Sequence, residues 1–170
     1  MTLTTTLSFI AASLGIAACA SFALPRHVTI ERSAVLPASP EAVLALAASN
    51  SGYQTFNPYL TRDPDLSIEL FGPTSGIGSG FRFDGREGRG SQTVTEINTT
   101  AVVYSIDLGA MGQPQQSIHA VAVADGTEIT WRVHSDMGFN PIFRVFGLFM
   151  DGMMGPTVEQ GLENLRHASA

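Results

Sequence analysis

Apolar and polar residues alternate with a period of two in several segments of the chain, which predicts β-strands with one face buried. Two stripes show this most clearly: Ile129, Trp131 and Val133 in one segment, and Val102, Tyr104, Ile106 and Leu108 in another. One face of the predicted sheet is therefore continuously apolar and needs a cover.

Turn residues divide the chain into seven predicted strands. They are Val28–Leu36, Ser67–Phe71, Phe81–Asp84, Ser91–Ile97, Ala101–Leu108, Ser117–Ala124 and Thr127–His134. The short connections between them make neighbours antiparallel. Asp125-Gly126, between the last two strands, predicts a hairpin with a type I′ turn.

Helix signals follow the first strand. Ser39 supplies an N-cap oxygen, Pro40 suits the first helical position, and Asn50-Ser51-Gly52 ends the helix. A second short helix is predicted over Tyr53–Asn57, and a loop over the residues from Pro58 to Asp65.

The longest predicted helix lies at the C-terminus. Its apolar residues recur at helical spacing: Phe143, Phe146, Met150, Met153, Met154, Val158, Leu162 and Leu165. Gly155-Pro156 predicts a kink or a break near Met154, giving two helical pieces. Together these elements predict an α+β helix-grip fold, in which a curved antiparallel sheet of about seven strands wraps around the C-terminal helix.

The first residues form a separate block. From Leu7 to Leu24 the chain carries no charge over 18 residues, the minimum length for crossing ~30 Å of hydrocarbon as a helix. We predict a hydrophobic anchor or signal segment over residues 1–25 and one domain over 26–170. A retained anchor, a cleaved signal peptide, a lipoprotein signal in which Ile16-Ala17-Ala18-Cys19 resembles the lipobox, and a flexible tail remain open, and so does the side of the membrane.

Composition excludes several functions. The net charge is −6 and the nine basic residues, all arginine, are scattered, which argues against nucleic-acid binding. Without lysine the chain cannot form a Schiff base or a P-loop phosphate site. The single cysteine allows neither an intramolecular disulfide nor a cysteine metal cluster, and no cofactor is predicted.

Residues 28–166 resemble the START-like, Bet v 1-like superfamily, also called the polyketide cyclase/dehydrase and lipid transport family. The motifs that carry the resemblance are Val35–Val43, Phe56-Asn57-Pro58, Gly76–Gly80, Gly126–Trp131 and Met150–Gly155. They are signals of turns, caps and strand starts, so they are specific for fold. The sequence departs from many members in having Tyr53 and Phe56 in place of tryptophans, which would reshape the mouth of the pocket.

Few residues suggest catalysis. The four histidines, His27, His119, His134 and His167, lack metal-binding spacing, so no metal site is predicted. His119 and Tyr104 are candidate acid/base or ligand-binding groups if they face the interior. Tyr104 lies on the inner stripe, whereas His119 fits either face. Asp107 and Glu69 are strand carboxylates, and the period of two places Asp107 toward water.

The resemblance implies binding or transport of a hydrophobic, lipid-like small molecule between the sheet and the C-terminal helix. The uncharged run over residues 7–24 separately predicts the membrane as a second partner. The residues predicted to line the pocket are Phe83, Tyr104, Trp131, Phe146, Met150 and Met153, with Phe56 and Tyr59 near the entrance. Two alternatives remain: a cyclase- or hydratase-like enzyme, and a partner-binding domain without cargo. The second of these predicts a filled interior.

Overall fold

The computed structural model describes residues 22–169, which form a seven-stranded sheet and five helices. The strands are β1 (His27–Leu36), β2 (Ser67–Phe71), β3 (Gly80–Gly85), β4 (Gly88–Ile97), β5 (Ala101–Asp107), β6 (Gln115–Val123) and β7 (Gly126–Asp136). The helices are α1 (Pro40–Ala48), α2 (Asn50–Gln54), α3 (Pro58–Arg62), α4 (Pro141–Gly147) and α5 (Met150–Ala168).

The sheet has the order β1-β7-β6-β5-β4-β3-β2, and each pair of neighbours is antiparallel. Its inner face packs against α1 and α5, and the long helix lies nearest to β1. The predicted helix-grip architecture is confirmed.

The helices that follow β1 differ from the prediction. The first begins as expected, with the Ser39 hydroxyl accepting a hydrogen bond from the Ala42 amide at 3.2 Å. The second spans Asn50–Gln54 rather than Tyr53–Asn57, because Ser49 caps it. A third, α3, replaces the predicted loop after Asn57: the Asn57 side chain accepts a hydrogen bond from the Tyr59 amide, and Pro58 fits the first turn.

The β6–β7 hairpin exists, but its turn is not type I′. Val123 pairs with Gly126, so Ala124 and Asp125 form the turn. A type I′ turn needs positive φ at both central residues, and no non-glycine residue among 22–169 has positive φ. Gly126, at φ 136°, lies beside the β1 terminus, where an added Cβ would be 2.3 Å from the Leu36 carbonyl oxygen. Its lack of a side chain thus serves both the turn and this close approach.

The C-terminal helical region breaks at a different place from the one predicted. The interruption lies at Leu148-Phe149, where short-range bonds to the Val145 and Phe146 carbonyls close α4, whereas α5 runs through Gly155-Pro156. Pro156 lies in the second turn of α5, so the helix loses one backbone hydrogen bond without ending.

Arg32 ties α5 to β1. Its guanidinium donates to both carboxylate oxygens of Asp151, at 2.9 and 3.1 Å, and to Glu159 at 2.7 Å. Gly155 lies between these acids, and a Cβ there would fall 2.1 Å from the Arg32 Nη2 atom. The glycine therefore leaves the space in which one guanidinium reaches two turns of the helix.

The hydrogen bonds from Arg32 to Asp151 and Glu159, which we call the Arg32 clamp, predict a particular dependence of stability on pH. The hydrogen bonds from Arg32 hold the pKa of Asp151 below its usual value. A carboxyl whose folded-state pKa lies below its unfolded value of about 3.9 stabilises the fold above that value, and loses this effect as the pH falls through the folded-state pKa. Asp151→Asn should therefore be less stable than the parent near neutral pH and lose less stability on acidification.

Urea unfolding at about pH 7 and about pH 3 measures this difference. Asp125→Asn is the matched control, because the Asp125 side chain lies in the hairpin turn without an ion pair to any described residue. Equal losses of stability in Asp151→Asn and the parent would contradict the assigned role of the clamp.

Candidate functional site

The space between the sheet and the helices is centred on the Tyr53 ring. Tyr53 lies 4.7 Å from the Phe56 ring centroid, 5.3 Å from that of Phe81, 5.6 Å from that of Tyr104 and 6.2 Å from that of Trp131. All five side chains are buried. Such tilted and edge-on contacts add to the stability gained by burial. The interior of the grip is therefore a packed aromatic cluster.

Little open space remains beside this cluster. The void next to Tyr53 and Tyr104 measures about 10 Å³. Its lining is Ala47, Ser49, Asn50, Tyr53, Ser79, Gly80, Phe81, Gln92, Val94 and Tyr104. Pockets for drug-sized ligands usually enclose about 300–1,000 Å³, whereas this void is of the order of one water molecule. A ligand would enter only if the surrounding elements moved apart.

Several polar groups lie inside this apolar region. The Gln116 Nε2 atom donates to the Tyr53 hydroxyl at 3.0 Å, and the Tyr104 hydroxyl donates to the Ala47 carbonyl at 2.7 Å. Three further buried side-chain atoms have no hydrogen-bond partner: Ser79 Oγ, Gln92 Nε2 and Trp131 Nε1. Buried polar groups are normally paired. Ser79 and Gln92 line the void, so their two atoms are available to a ligand or an ordered water there.

The two central phenols remain protonated. Burial raises the pKa of both Tyr53 and Tyr104 well above the ordinary value, because the ionised form would lose its hydration. Neither is suited to act as a base near neutral pH. The described residues that line the void also include no histidine, aspartate or glutamate. The interior can therefore bind through hydrogen bonds, but it offers no evident acid/base pair.

A second concavity lies on the outer face of the sheet, over β2 to β5. It encloses about 720 Å³ and is open to solvent. Its charged residues have both signs: Glu69, Asp84, Asp107, Arg82 and Arg89. Asp107 faces outward, as the period of two predicts. This charged groove is a poor site for an apolar molecule.

A sequence model of one family matches residues 27–170, most of the chain, and that family is described as polyketide cyclase/dehydrase and lipid transport. The chain belongs to this family. No curated protein is significantly similar to it in sequence.

Solved structures with the same fold support the architecture of this family member. StfQ, a di-domain aromatase/cyclase of the steffimycin biosynthetic pathway, has a TM-score of 0.60 at 10% identity, and the match covers 84% of this chain and 50% of StfQ. The chain thus spans about half of that protein. KanY has a TM-score of 0.60 at 18% identity, and the match covers 85% of this chain and 99% of KanY. Ara h 8.0201 has a TM-score of 0.53 at 18% identity, and the match covers 84% of this chain and 94% of Ara h 8.0201.

The family fold brings together half of the residues predicted to line a pocket. Phe56, Tyr104, Trp131 and Met150 belong to the buried core, and Phe83 packs against its edge. Tyr59 is half-buried on α3. Phe56 differs from its predicted place near the entrance, because α2 and the turn after it carry its ring to the centre of the cluster.

Phe146 and Met153, predicted to line the interior, instead point outward, with exposed fractions of 46% and 55%. The cause is the helical phase. The buried stripe of α5 runs through Met150, Val158 and Leu162, and this stripe leaves Met153 on the opposite side. In α4 the buried residues are Arg144 and Gly147, which turns Phe146 toward solvent.

His119 lies on the outer face of the sheet. Its neighbours Ile118 and Ala120 are in the core, and the imidazole instead contacts the Ser117 hydroxyl at 3.2 Å. It therefore cannot reach the void beside Tyr53. Within residues 22–169 no three histidine, cysteine or acidic side chains are grouped to hold a metal ion.

Gln92, Gln116 and Ser79 were not predicted as site residues, and Tyr53, expected at the mouth of the pocket, lies at the centre of the aromatic cluster. For the two glutamines a signal was available: each shares the inward phase of an apolar neighbour, Gln92 with Val94 and Gln116 with Ile118. A polar residue in phase with a buried stripe indicates an interior hydrogen-bonding group.

Most of the predicted membrane segment, residues 7–21, lies outside the described residues. Across residues 22–169 no helix is both long enough and apolar enough to cross a bilayer.

Proposed function

We propose that the domain binds a hydrophobic small molecule that carries hydrogen-bond acceptors, held at the void beside Tyr53 between the sheet and the helices α1 and α2. The observation that carries the proposal is the presence of two buried polar atoms without a hydrogen-bond partner at the void, Ser79 Oγ and Gln92 Nε2, inside an aromatic interior. An unpaired buried donor costs about 1–3 kcal/mol of stability, so a ligand oxygen that accepts from it would recover this free energy. Membership of the polyketide cyclase/dehydrase and lipid transport family is consistent with such a ligand.

The glycine loop, residues 72–80, is the part of the wall that would open. It has positive φ at Gly72, Gly76 and Gly78, and it continues into Ser79 and Gly80 at the void. A few hydrogen bonds connect it to α1 and α2, among them Gly76 N to the Ala48 carbonyl at 3.0 Å and Asn50 Nδ2 to the Pro73 carbonyl at 3.3 Å. Movement of this loop would enlarge the void by breaking these bonds and the two that join the loop to β4, Gly78 N to the Val94 carbonyl and Val94 N to the Ser79 carbonyl, both at 2.9 Å.

Gln92→Leu tests the proposal because the change should have two opposite effects. Removing an unpaired donor should raise the free energy of unfolding of the ligand-free protein by about 1 kcal/mol. Losing the hydrogen bond to the ligand should reduce the retention of that ligand by the protein about 2- to 10-fold. The full chain is purified from its own host, the retained molecule is quantified by native mass spectrometry, and stability is measured after its removal.

Gln115→Leu is the matched control, since Gln115 is exposed at the start of β6 and alternates with inward-facing Gln116. Gln115→Leu should change neither the free energy of unfolding nor the amount of retained ligand. A full chain that retains no small molecule would contradict the proposal, as would equal retention by Gln92→Leu and the parent.

A second candidate function, partner binding without cargo, is favoured by the filled interior, with its void of about 10 Å³. Under this hypothesis the aromatic cluster is an ordinary core. Thermal unfolding of the purified full chain separates the two candidates: extraction of bound small molecules should lower the melting temperature if the domain binds a ligand, and should leave it unchanged if the core is permanently filled.

A further inference from the structure

The helix α4 and the residues around it present a large exposed apolar surface, which we call the α4 face. It consists of Phe139, Ile142, Val145, Phe146, Phe149 and Met153. Ile142, Val145 and Phe146 follow the spacing i, i+3 and i+4, so they share one side of α4. Phe149, at the break, and Met153, in α5, continue the exposed apolar surface beyond that helix. Ile142 is 73% exposed and Phe149 is 61% exposed. An exposed apolar patch of this kind marks an interaction surface.

The charged side chain of α4 lies on the side of the helix opposite the α4 face. Arg144 is buried, and its guanidinium donates to the Gly138 carbonyl at 2.9 Å and to the carbonyls of Phe22 and Leu24 at 3.0 and 3.2 Å. It also lies over the Phe22 ring, 5.1 Å from the centroid. The orientation of α4 is thus opposite to that of a usual surface helix: its charged side chain points into the protein, and its apolar side chains point toward solvent.

The charge distribution of the chain also separates this region from the rest. The protein has a net charge of −6, yet the sequence from Met137 to Met150 contains no acidic residue, and its one charged side chain is the buried Arg144. The part of the α4 face from Phe139 to Phe149 would therefore meet an apolar environment without burying a carboxylate. Asp151, next to Met153 at the end of the face, is paired with Arg32.

The N-terminal apolar run ends against α4, on the side of the helix that carries Arg144. Leu7 to Leu24 contains no charged residue, and its last part, Phe22 to Leu24, is held by Arg144. Any bilayer that accepts residues 7–21 must begin close to this contact. We propose that the α4 face docks onto a lipid bilayer into which the N-terminal segment inserts, so that one membrane covers both apolar surfaces.

Cover of the α4 face by the N-terminal segment alone would still leave apolar surface in contact with water. A segment that is apolar on all sides would bury one side against α4 and leave its other sides in water, whereas a bilayer covers every side. Aromatic side chains at the level of the headgroups are typical of interfacial helices. The α4 face supplies three, Phe139, Phe146 and Phe149. This inference does not depend on the proposed ligand.

The test places a fluorescent label on the α4 face of the full chain. In a Cys19→Ser background, which removes the single native cysteine, Ile142→Cys is labelled with bimane and the protein is reconstituted into vesicles of phosphatidylcholine and phosphatidylglycerol. Val121→Cys is the matched control, because Val121 is an exposed apolar residue on the outer face of β6. Lipids with nitroxides in their acyl chains should quench the label at 142 at least twofold, and the label at 121 far less.

Two results would overturn the proposal. Equal quenching at 142 and 121 would show that the α4 face stays in water. A label at 142 that is shielded from both lipid nitroxides and aqueous iodide would show that protein covers the face, either the N-terminal segment or a second copy. Phe149→Asp should reduce the quenching at 142, and circular dichroism should show that this exposed substitution leaves the fold intact.

Discussion

Trp131→Ala should lower the free energy of unfolding by about 3–5 kcal/mol, the usual cost of removing a fully packed aromatic side chain. Trp131 is 2% exposed and lies between the Phe56 ring, at 5.8 Å, and Gly161 of α5. The substitution leaves a cavity where strand, helix and aromatic cluster meet. For a domain of this size the melting temperature should fall by about 10 °C or more.

Chemical denaturation followed by circular dichroism measures the loss. Phe149→Ala is the matched control, because it truncates a large aromatic side chain that is mostly exposed. It should change stability by less than about 0.5 kcal/mol in water. A similar small effect for Trp131→Ala would mean that the interior relaxes freely, contrary to the packing that the structure shows.

Gly161→Val should lower the free energy of unfolding by about 2–3 kcal/mol through overpacking. An added Cβ at Gly161 would lie 2.6 Å from the Trp131 Cζ3 atom, and the indole is 2% exposed. Gly152→Val introduces the same side chain into the same helix at a position with no neighbouring atom within 4 Å. That control should be close to neutral.

The double variant Trp131→Ala/Gly161→Val separates packing from helix propensity. If the valine collides with the indole, removing the indole relieves the collision, and the combined loss should be smaller than the sum of the single losses by about 1 kcal/mol or more. Strict additivity would contradict the close approach of α5 to β7.

The strands were predictable because their signal is local. A period of two and the flanking turn residues placed Ser67–Phe71 at its observed bounds, and the inward phase of Tyr104 follows from the same rule. The third short helix was missed because Asn57-Pro58 was interpreted as a break in structure. The same two residues form an N-cap and a first helical turn, and the sequence alone does not decide between these roles.

The interior was harder to predict because its volume depends on contacts between distant segments. Gly161 approaches Trp131 across 30 positions of sequence, and Gln116 meets Tyr53 across 63. Spacing placed Phe146 and Met153 with other apolar residues, but it could not show which side of each helical piece would be buried. The break at Leu148-Phe149, which has neither glycine nor proline, shifted that phase.

Arg32 has a further consequence for association between molecules. The strand β1 forms one edge of the sheet, where unpaired backbone groups could recruit a strand from another chain. A charged side chain directed inward from an edge strand opposes such pairing, because a continued sheet would have to bury it away from water. By holding Arg32 against Asp151 and Glu159, α5 keeps this charge in place on the edge strand. The same clamp that fastens the helix should therefore also protect the folded protein against edge-to-edge aggregation.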